Sequence, residues 1–172
     1  MVRRGSAIKE FGDLKDKDIA ILESRLPCRL FADKNTSGQP RNKFARFFQA
    51  PNGQEALSDV LSGKVKAAIV DTPTLDHFKD LYPGRYKRLT ILAQSPPFPP
   101  PVIVYRTGGL PADVLKKFKK GMLKVSQTEK GRQALMEFGI LRFQQVPKDF
   151  QKNSTEIATM YPAPQHSHRD AE

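Results

Sequence analysis

Residues 54–81, QEALSDVLSGKVKAAIVDTPTLDHFKDL, constrain the fold more than any other stretch of the chain. Ala56, Leu57, Val60 and Leu61 recur at helical spacing and set an apolar stripe on one face. Gly63 follows where a helix ends on a left-handed residue. Residues 65–70 are apolar apart from Lys66. That run is too short for a helix and too continuous for a half-exposed strand, so it reads as a buried strand. Asp71-Thr72-Pro73 then combines a capping side chain with a proline in the first turn, and a second helix over 74–81 follows. Helix, buried strand and helix with short connections point to an α/β fold with a mainly parallel sheet.

The same alternation extends both ways. Residues 18–23, DIAILE, read as a buried strand after the turn signal DLKDK, and SAIKEFGDL before it reads as one helical turn with Ser6 as N-cap. Residues 24–40 carry loop chemistry, with Asn, Thr, Ser, Gly and Pro clustered at the end. KFARFFQ, 43–49, fits either a short helix or a strand. Two further strands are expected at 89–93 and 102–105, separated by Ser95-Pro96-Pro97-Phe98-Pro99-Pro100-Pro101. Such a segment is a stiff connector, because each proline ring fixes φ. Val114, Leu115, Phe118, Met122 and Val125 form the apolar stripe of the longest helix, and another helix starts near Thr128 with Gly139 past its end. A short strand is expected at 143–146. From Tyr161 onward no apolar pattern remains, so a disordered tail is expected.

Composition excludes several classes. No apolar run approaches the length of a membrane span, and the N-terminal segment has no signal-type apolar region, so the sequence as given reads as cytoplasmic. Cys28 is the only cysteine, which rules out an internal disulfide and a cysteine zinc site. His166 and His168 alone supply too few ligands for a metal. No P-loop, GxGxxG or HExxH occurs, and no base is paired with a nucleophile, so no enzyme, cofactor or metal is expected. The net charge of +11 favours anionic partners. Lys116, Lys117, Lys119, Lys120 and Lys124 lie opposite the apolar stripe of one helix. No aromatics interleave with them, so nucleic-acid binding is not the expected use.

The best chemical feature is Asn35-Thr36-Ser37-Gly38. Small hydroxyl residues and a glycine ahead of a helix can present side-chain and backbone donors together and cradle an anion. Asp71, at the end of a strand, is a second candidate, although capping the next helix explains it equally well.

Five segments in order, SAIKEFGDLKDKDIAIL, NTSG, LSGKVKAAIVDTPTLD, LTILAQSPPFPPPVIVY and LPADVLKKFKKGMLKV, resemble the later part of type 2 periplasmic binding proteins. The nearest resemblance is to the phosphate, phosphite and phosphonate receptors of ABC importers. It implies a periplasmic-binding-protein-like α/β domain over 1–150, lacking most of the first lobe, and an extension over 151–172. It also implies ligand contacts from Asn35, Thr36, Ser37, Gly38 and Asp71, a small oxyanion as ligand, an ABC permease as partner and a periplasmic location. Lys66 stands where the family motif has aspartate, and Pro99, Pro100 and Pro101 stand where some members have an acidic residue. Weakened oxyanion binding is therefore expected. The alternative is an interaction protein whose basic surface meets an acidic partner or nucleic acid. An uncovered sheet edge would favour a homodimer.

Overall fold

A computed structural model describes residues 1–36, 40–137 and 140–162. The chain divides into two compact units, Met1–Phe98 with the chain from Glu156 onward, and Pro99–Thr155. The division falls inside the proline segment.

The first unit is built on a five-stranded sheet of order β3-β2-β4-β1-β5. Its strands are β1 (Val2–Arg3), β2 (Asp18–Ile21), β3 (Arg46–Gln49), β4 (Ala67–Ile69) and β5 (Leu89–Thr90). β2 runs parallel to both β3 and β4, whereas β1 is antiparallel to β4 and β5. The expected parallel sheet is therefore present at its centre, and one strand runs against the rest.

Helices follow the parallel strands. They are α1 (Leu26–Asn35), α2 (Arg41–Phe44), α3 (Gly53–Ser62), α4 (Thr72–Leu81) and α5 (Pro83–Tyr86). α3 and α4 match the sequence reading. Ala56, Leu57, Val60 and Leu61 are all buried, and Gly63 closes α3 at φ 85°. Residues 43–49 resolve into both expected forms, the end of α2 and then β3. The segment after Ser6 forms a 3₁₀ turn, Phe11–Leu14, held by Asp13, whose carboxylate accepts from the Lys9 and Glu10 amides.

Residues 24–40 are the first correction, because α1 occupies most of what read as irregular loop. Pro27 sits in its first turn, where a missing N–H costs nothing. Cys28 and Ala32 are buried one helical turn apart, with Phe31 packed beside them. Two apolar layers result, one on each sheet face. Ile19, Ile21, Cys28, Ala32 and Phe44 fill one. Ala20, Leu57, Val60, Ala68 and Phe78 fill the other. Burial on both faces is what the continuous apolar run at 65–70 demanded.

Toward the C-terminus the structure adds a helix that the sequence reading did not place, and the tail expected from Tyr161 onward lies outside the described residues beyond residue 162. The chain forms α8 (Phe150–Met160), and Tyr161 is buried, its ring 5.0 Å from that of Phe98 with Lys34 Nζ 4.3 Å over it. Residues 163–172 lie outside the described residues, as do Gly139, His166 and His168.

The second unit contains α6 (Ala112–Lys124), a 3₁₀ turn (Val125–Gln127) and α7 (Glu129–Glu137), the last capped by Thr128 Oγ1 accepting from the Gly131 amide at 3.1 Å. Neither 102–105 nor 143–146 forms a strand among the described residues. A strand needs a ladder partner, and these runs have none there.

Candidate functional site

β2, β3 and β4 end level, because Ile21 pairs with both Gln49 and Ile69. A helix starts just beyond each end: α1 after Arg25, α3 after Asn52 and α4 after Asp71. Three helix N-termini therefore share the carboxyl edge of the sheet. Free backbone N–H groups and the positive ends of the helix dipoles make such an edge suited to anions, and parallel sheets bind ligands there.

Two of the starts are capped from within the chain. Asn52 Oδ1 accepts from the Glu55 amide at 2.9 Å, and its Nδ2 donates to Glu55 Oε1 at 3.0 Å. Asp71 Oδ1 accepts from the Thr74 amide at 3.1 Å. Its other oxygen lies 3.5 Å from Arg25 Nε, whose side chain is 63% exposed. Asp71 is thus the helix cap that its place before Thr72-Pro73 suggested, and it also holds Arg25 at the start of α1. Cys28, beside this pair, is inert at neutral pH. Burial chiefly, and the Asp71 charge next, push its thiol up to about 12, against an opposing pull from Arg25.

Gly53 brings α3 and α4 together. A Cβ there would overlap Thr74 Cγ2 and lie 3.2 Å from Thr74 Cβ and Oγ1. Beyond this contact opens a cavity of about 330 Å³ lined by residues of α3 and α4, including Asn52, Gln54, Thr74, His77 and Tyr82. In the sequence, Asn52-Gly53 has the composition of a turn, and Thr74 is only the first residue of the helix expected over 74–81. The available signal was position: Asn52 and Asp71 each follow a strand and precede a helix.

Asn35 and Thr36 sit elsewhere. Asn35 is the last residue of α1 and Thr36 its C-cap. Asn35 Nδ2 donates to the Phe31 carbonyl at 2.8 Å, and Thr36 Oγ1 to the Asp33 carbonyl at 2.9 Å. The next helix, α2, is a single turn beginning at Arg41. The expectation that these two residues open a helix is corrected: they close one, where exposed carbonyls and the dipole favour cations. α1 starts at the carboxyl edge and runs back against β2, as a connection between parallel strands must, so it carries them away from Arg25 and Asp71. Ser37 and Gly38 lie outside the described residues.

A larger cavity of about 620 Å³ lies along β3, lined by Glu23, Arg41, Asn42 and the segment from Ala45 to Phe48. Its cations are already paired. Arg41 reaches Glu23 at 2.7 Å and Asp33 at 2.9 Å, and Arg46 reaches Asp18 at 2.6 Å. An anion there would meet carboxylates, and Arg25 at the carboxyl edge is likewise paired with Asp71; what favours the edge is its three helix N-termini. Among the described residues, no group of His, Cys, Asp or Glu is placed to hold a metal ion.

Comparison with known proteins agrees with this architecture. Similar solved structures include XAC2383 from Xanthomonas citri bound to chloride ion and the same protein bound to ATP. Each has TM-score 0.66 and 16% identity over 93% of this chain and 63% of that one. Another is a binding protein component of an ABC phosphonate transporter, PA3383 from Pseudomonas aeruginosa, with TM-score 0.57 and 15% identity over 92% of this chain and 54% of that one. The chain thus spans less than two thirds of the length of these neighbours, and it shares their fold. No curated protein matches it. The model of one family, described as ABC transporter, phosphonate, periplasmic substrate-binding protein, matches residues 1–149. The chain belongs to the phosphonate-binding family of periplasmic ABC-transporter substrate-binding proteins.

Proposed function

We propose that this chain is a solute-binding module that holds a small phosphorus oxyanion weakly, at the carboxyl edge of β2, β3 and β4. One observation carries the reading: three helix N-termini and the Arg25 guanidinium meet at strand ends that lie level. Family membership supports phosphate, phosphite or a phosphonate as the ligand class, and the chloride and ATP named for the Xanthomonas structures are both anions. Asp71 serves by orienting Arg25 and capping α4. Weak binding follows from an open edge, since one wall buries little of a ligand. The module binds without catalysing a reaction, works outside the cytoplasm and delivers its ligand to an ABC permease. A homodimer along the exposed edge of β3, where Phe48 is 49% exposed, belongs to the same reading.

The test is a thermal-shift and calorimetric series with phosphate, phosphite and methylphosphonate at millimolar concentration. Occupancy at ten times Kd raises stability by about 1.4 kcal/mol. Arg25→Ala removes the cation and weakens binding roughly tenfold. Ser37→Ala tests the alternative locus at Asn35, Thr36, Ser37 and Gly38, and it leaves binding unchanged. If no anion moves the melting temperature, the reading fails. If Ser37→Ala abolishes binding while Arg25→Ala does not, the site belongs to the NTSG loop.

A further inference from the structure

The edge of the sheet opposite the carboxyl ends carries a concentration of charge that nothing above uses. β4 is entered there through Lys66 and β5 through Arg88, while β1, which runs the other way, leaves through Arg3 and Arg4. Strand register opposes these cations in pairs. Val2 lies opposite Ala67, so Arg3 stands across from Lys66. Arg3 lies opposite Leu89 on the other side, so Arg4 stands across from Arg88, and the Arg4 amide donates to the Arg88 carbonyl at 2.7 Å. All four residues are exposed, and none forms an ion pair among the described residues. The carboxylates beside them are engaged. Asp18, next to Lys66 in the ladder, holds Arg46, and Asp59 holds Lys64 at 3.0 Å.

Like charges directly opposite one another across an antiparallel pair destabilise a sheet. Two such pairs on neighbouring ladders break a local rule with no compensation inside the fold, and departures of that kind are expected at functional sites. A bound anion relieves both.

The surroundings restrict what that anion is. Neither cavity described above is lined by Arg3, Arg4, Lys66 or Arg88, so the edge encloses no small ion. Val2, Ala67 and Leu89 are buried, and no large apolar side chain of β1, β4 or β5 is exposed. A protein partner would find no apolar centre for an interface. A bilayer needs a basic face, whereas these cations line an edge whose strands stand about 4.8 Å apart. The three strands carry no aromatic residue on which a base stacks. A linear phosphate polymer meets every one of these conditions. It gains from several exposed cations at once by releasing counterions, and guanidinium groups match phosphate oxygens in pairs.

We propose that Arg3, Arg4, Lys66 and Arg88, at the edge where β4 and β5 begin, bind an extended phosphodiester chain through its backbone, without reading bases.

The experiment uses the full chain and two fluorescein-labelled probes of equal length, oligothymidylate and an abasic deoxyribose phosphate oligomer, followed by anisotropy at low salt. The two probes bind equally. Four contacts make the logarithm of Kd rise with the logarithm of salt concentration with a slope of about 3. Arg3→Gln with Lys66→Gln lowers that slope by about 1.4 and weakens binding at least roughly tenfold at low salt. Arg4→Gln with Arg88→Gln does the same, so the reading survives if one pair of changes disturbs the sheet. Lys116→Gln with Lys120→Gln removes the same charge from α6 and leaves binding within about twofold, which separates this edge from net charge. The proposal is overturned if neither probe binds, if only oligothymidylate binds, or if the α6 variant weakens binding as much as the edge variants do. It is also overturned if polyglutamate of equal charge, or vesicles containing phosphatidylglycerol, displace the abasic oligomer as well as unlabelled oligomer does.

Discussion

Gly53→Ala probes how closely the helix starts are packed at the carboxyl edge. The added Cβ overlaps Thr74 Cγ2 and approaches Thr74 Cβ and Oγ1 to 3.2 Å. Two methyl carbons rest about 3.5–4.0 Å apart, so α3 and α4 must part or Thr74 must change rotamer. Thr74 is β-branched and sits in the first turn of α4, which leaves it few alternatives. Overpacking of this kind costs about 1–3 kcal/mol. Replacing glycine by alanine in a helix returns up to about 1 kcal/mol. The expected balance is a loss of about 1–2 kcal/mol. Thr74→Ser deletes the obstructing methyl at a cost below about 1 kcal/mol. In that background Gly53→Ala becomes neutral or mildly stabilising, which gives a coupling of about 1–2 kcal/mol across the cycle. Urea titration of the four proteins reads it, with hydrogen exchange followed on peptides from α3 and α4 so that the first unit is measured by itself. At typical urea sensitivity the single variant shifts the midpoint by roughly 0.5–1 M. If Gly53→Ala is neutral alone, or equally destabilising with serine at 74, the close approach of the two helix starts is not the constraint argued here.

Three further outcomes follow from the same edge and from the chain's end. Asp71→Ala removes the α4 cap and lowers stability by about 1 kcal/mol, whereas Asp71→Asn keeps the acceptor and costs a few tenths, as thermal melts of the two variants will read. Cys28, raised to about 12 by burial, reacts with a disulfide reagent at pH 8 only after unfolding. Because the unfolded thiol ionises first, stability falls as pH climbs from about 9 toward about 12, by at most about 1.4 kcal/mol per unit, and Cys28→Ala removes that slope. Tyr161→Ala breaks the packing on Phe98 and Lys34 and destabilises the first unit by about 2–4 kcal/mol, while Tyr161→Phe changes little; differential scanning calorimetry compares them.

Local patterns made much of the first unit legible. Helical spacing at Ala56, Leu57, Val60 and Leu61, a glycine at 63 and a continuous apolar run at 65–70 each have one good structural solution, and all three were realised. Asp71 before Thr72-Pro73 announced a cap for the same local reason. α1 escaped because its apolar face is narrow. Cys28, Phe31 and Ala32 are small in number among Arg25, Arg29, Asp33 and Lys34, and the loop-forming residues after Asn35 dominated the reading. It also hid that Asn35 and Thr36 close a helix, since which terminus a motif occupies is decided by where the helix began.

By itself, then, the sequence determined the alternation of helix and buried strand, the caps at Gly63 and Asp71, and an excess of positive charge on one face of α6. Those properties depend on neighbours a few positions apart in the chain. Tertiary structure alone decided that Ile21, Gln49 and Ile69 end level, so that three helix starts converge. It also decided that Gly53 meets Thr74, that Tyr161 returns to Phe98, and that 102–105 has no strand beside it among the described residues. Strand register and the packing of distant segments depend on pairings between residues far apart in sequence. No local period records them, and at the carboxyl edge they are what place the donors.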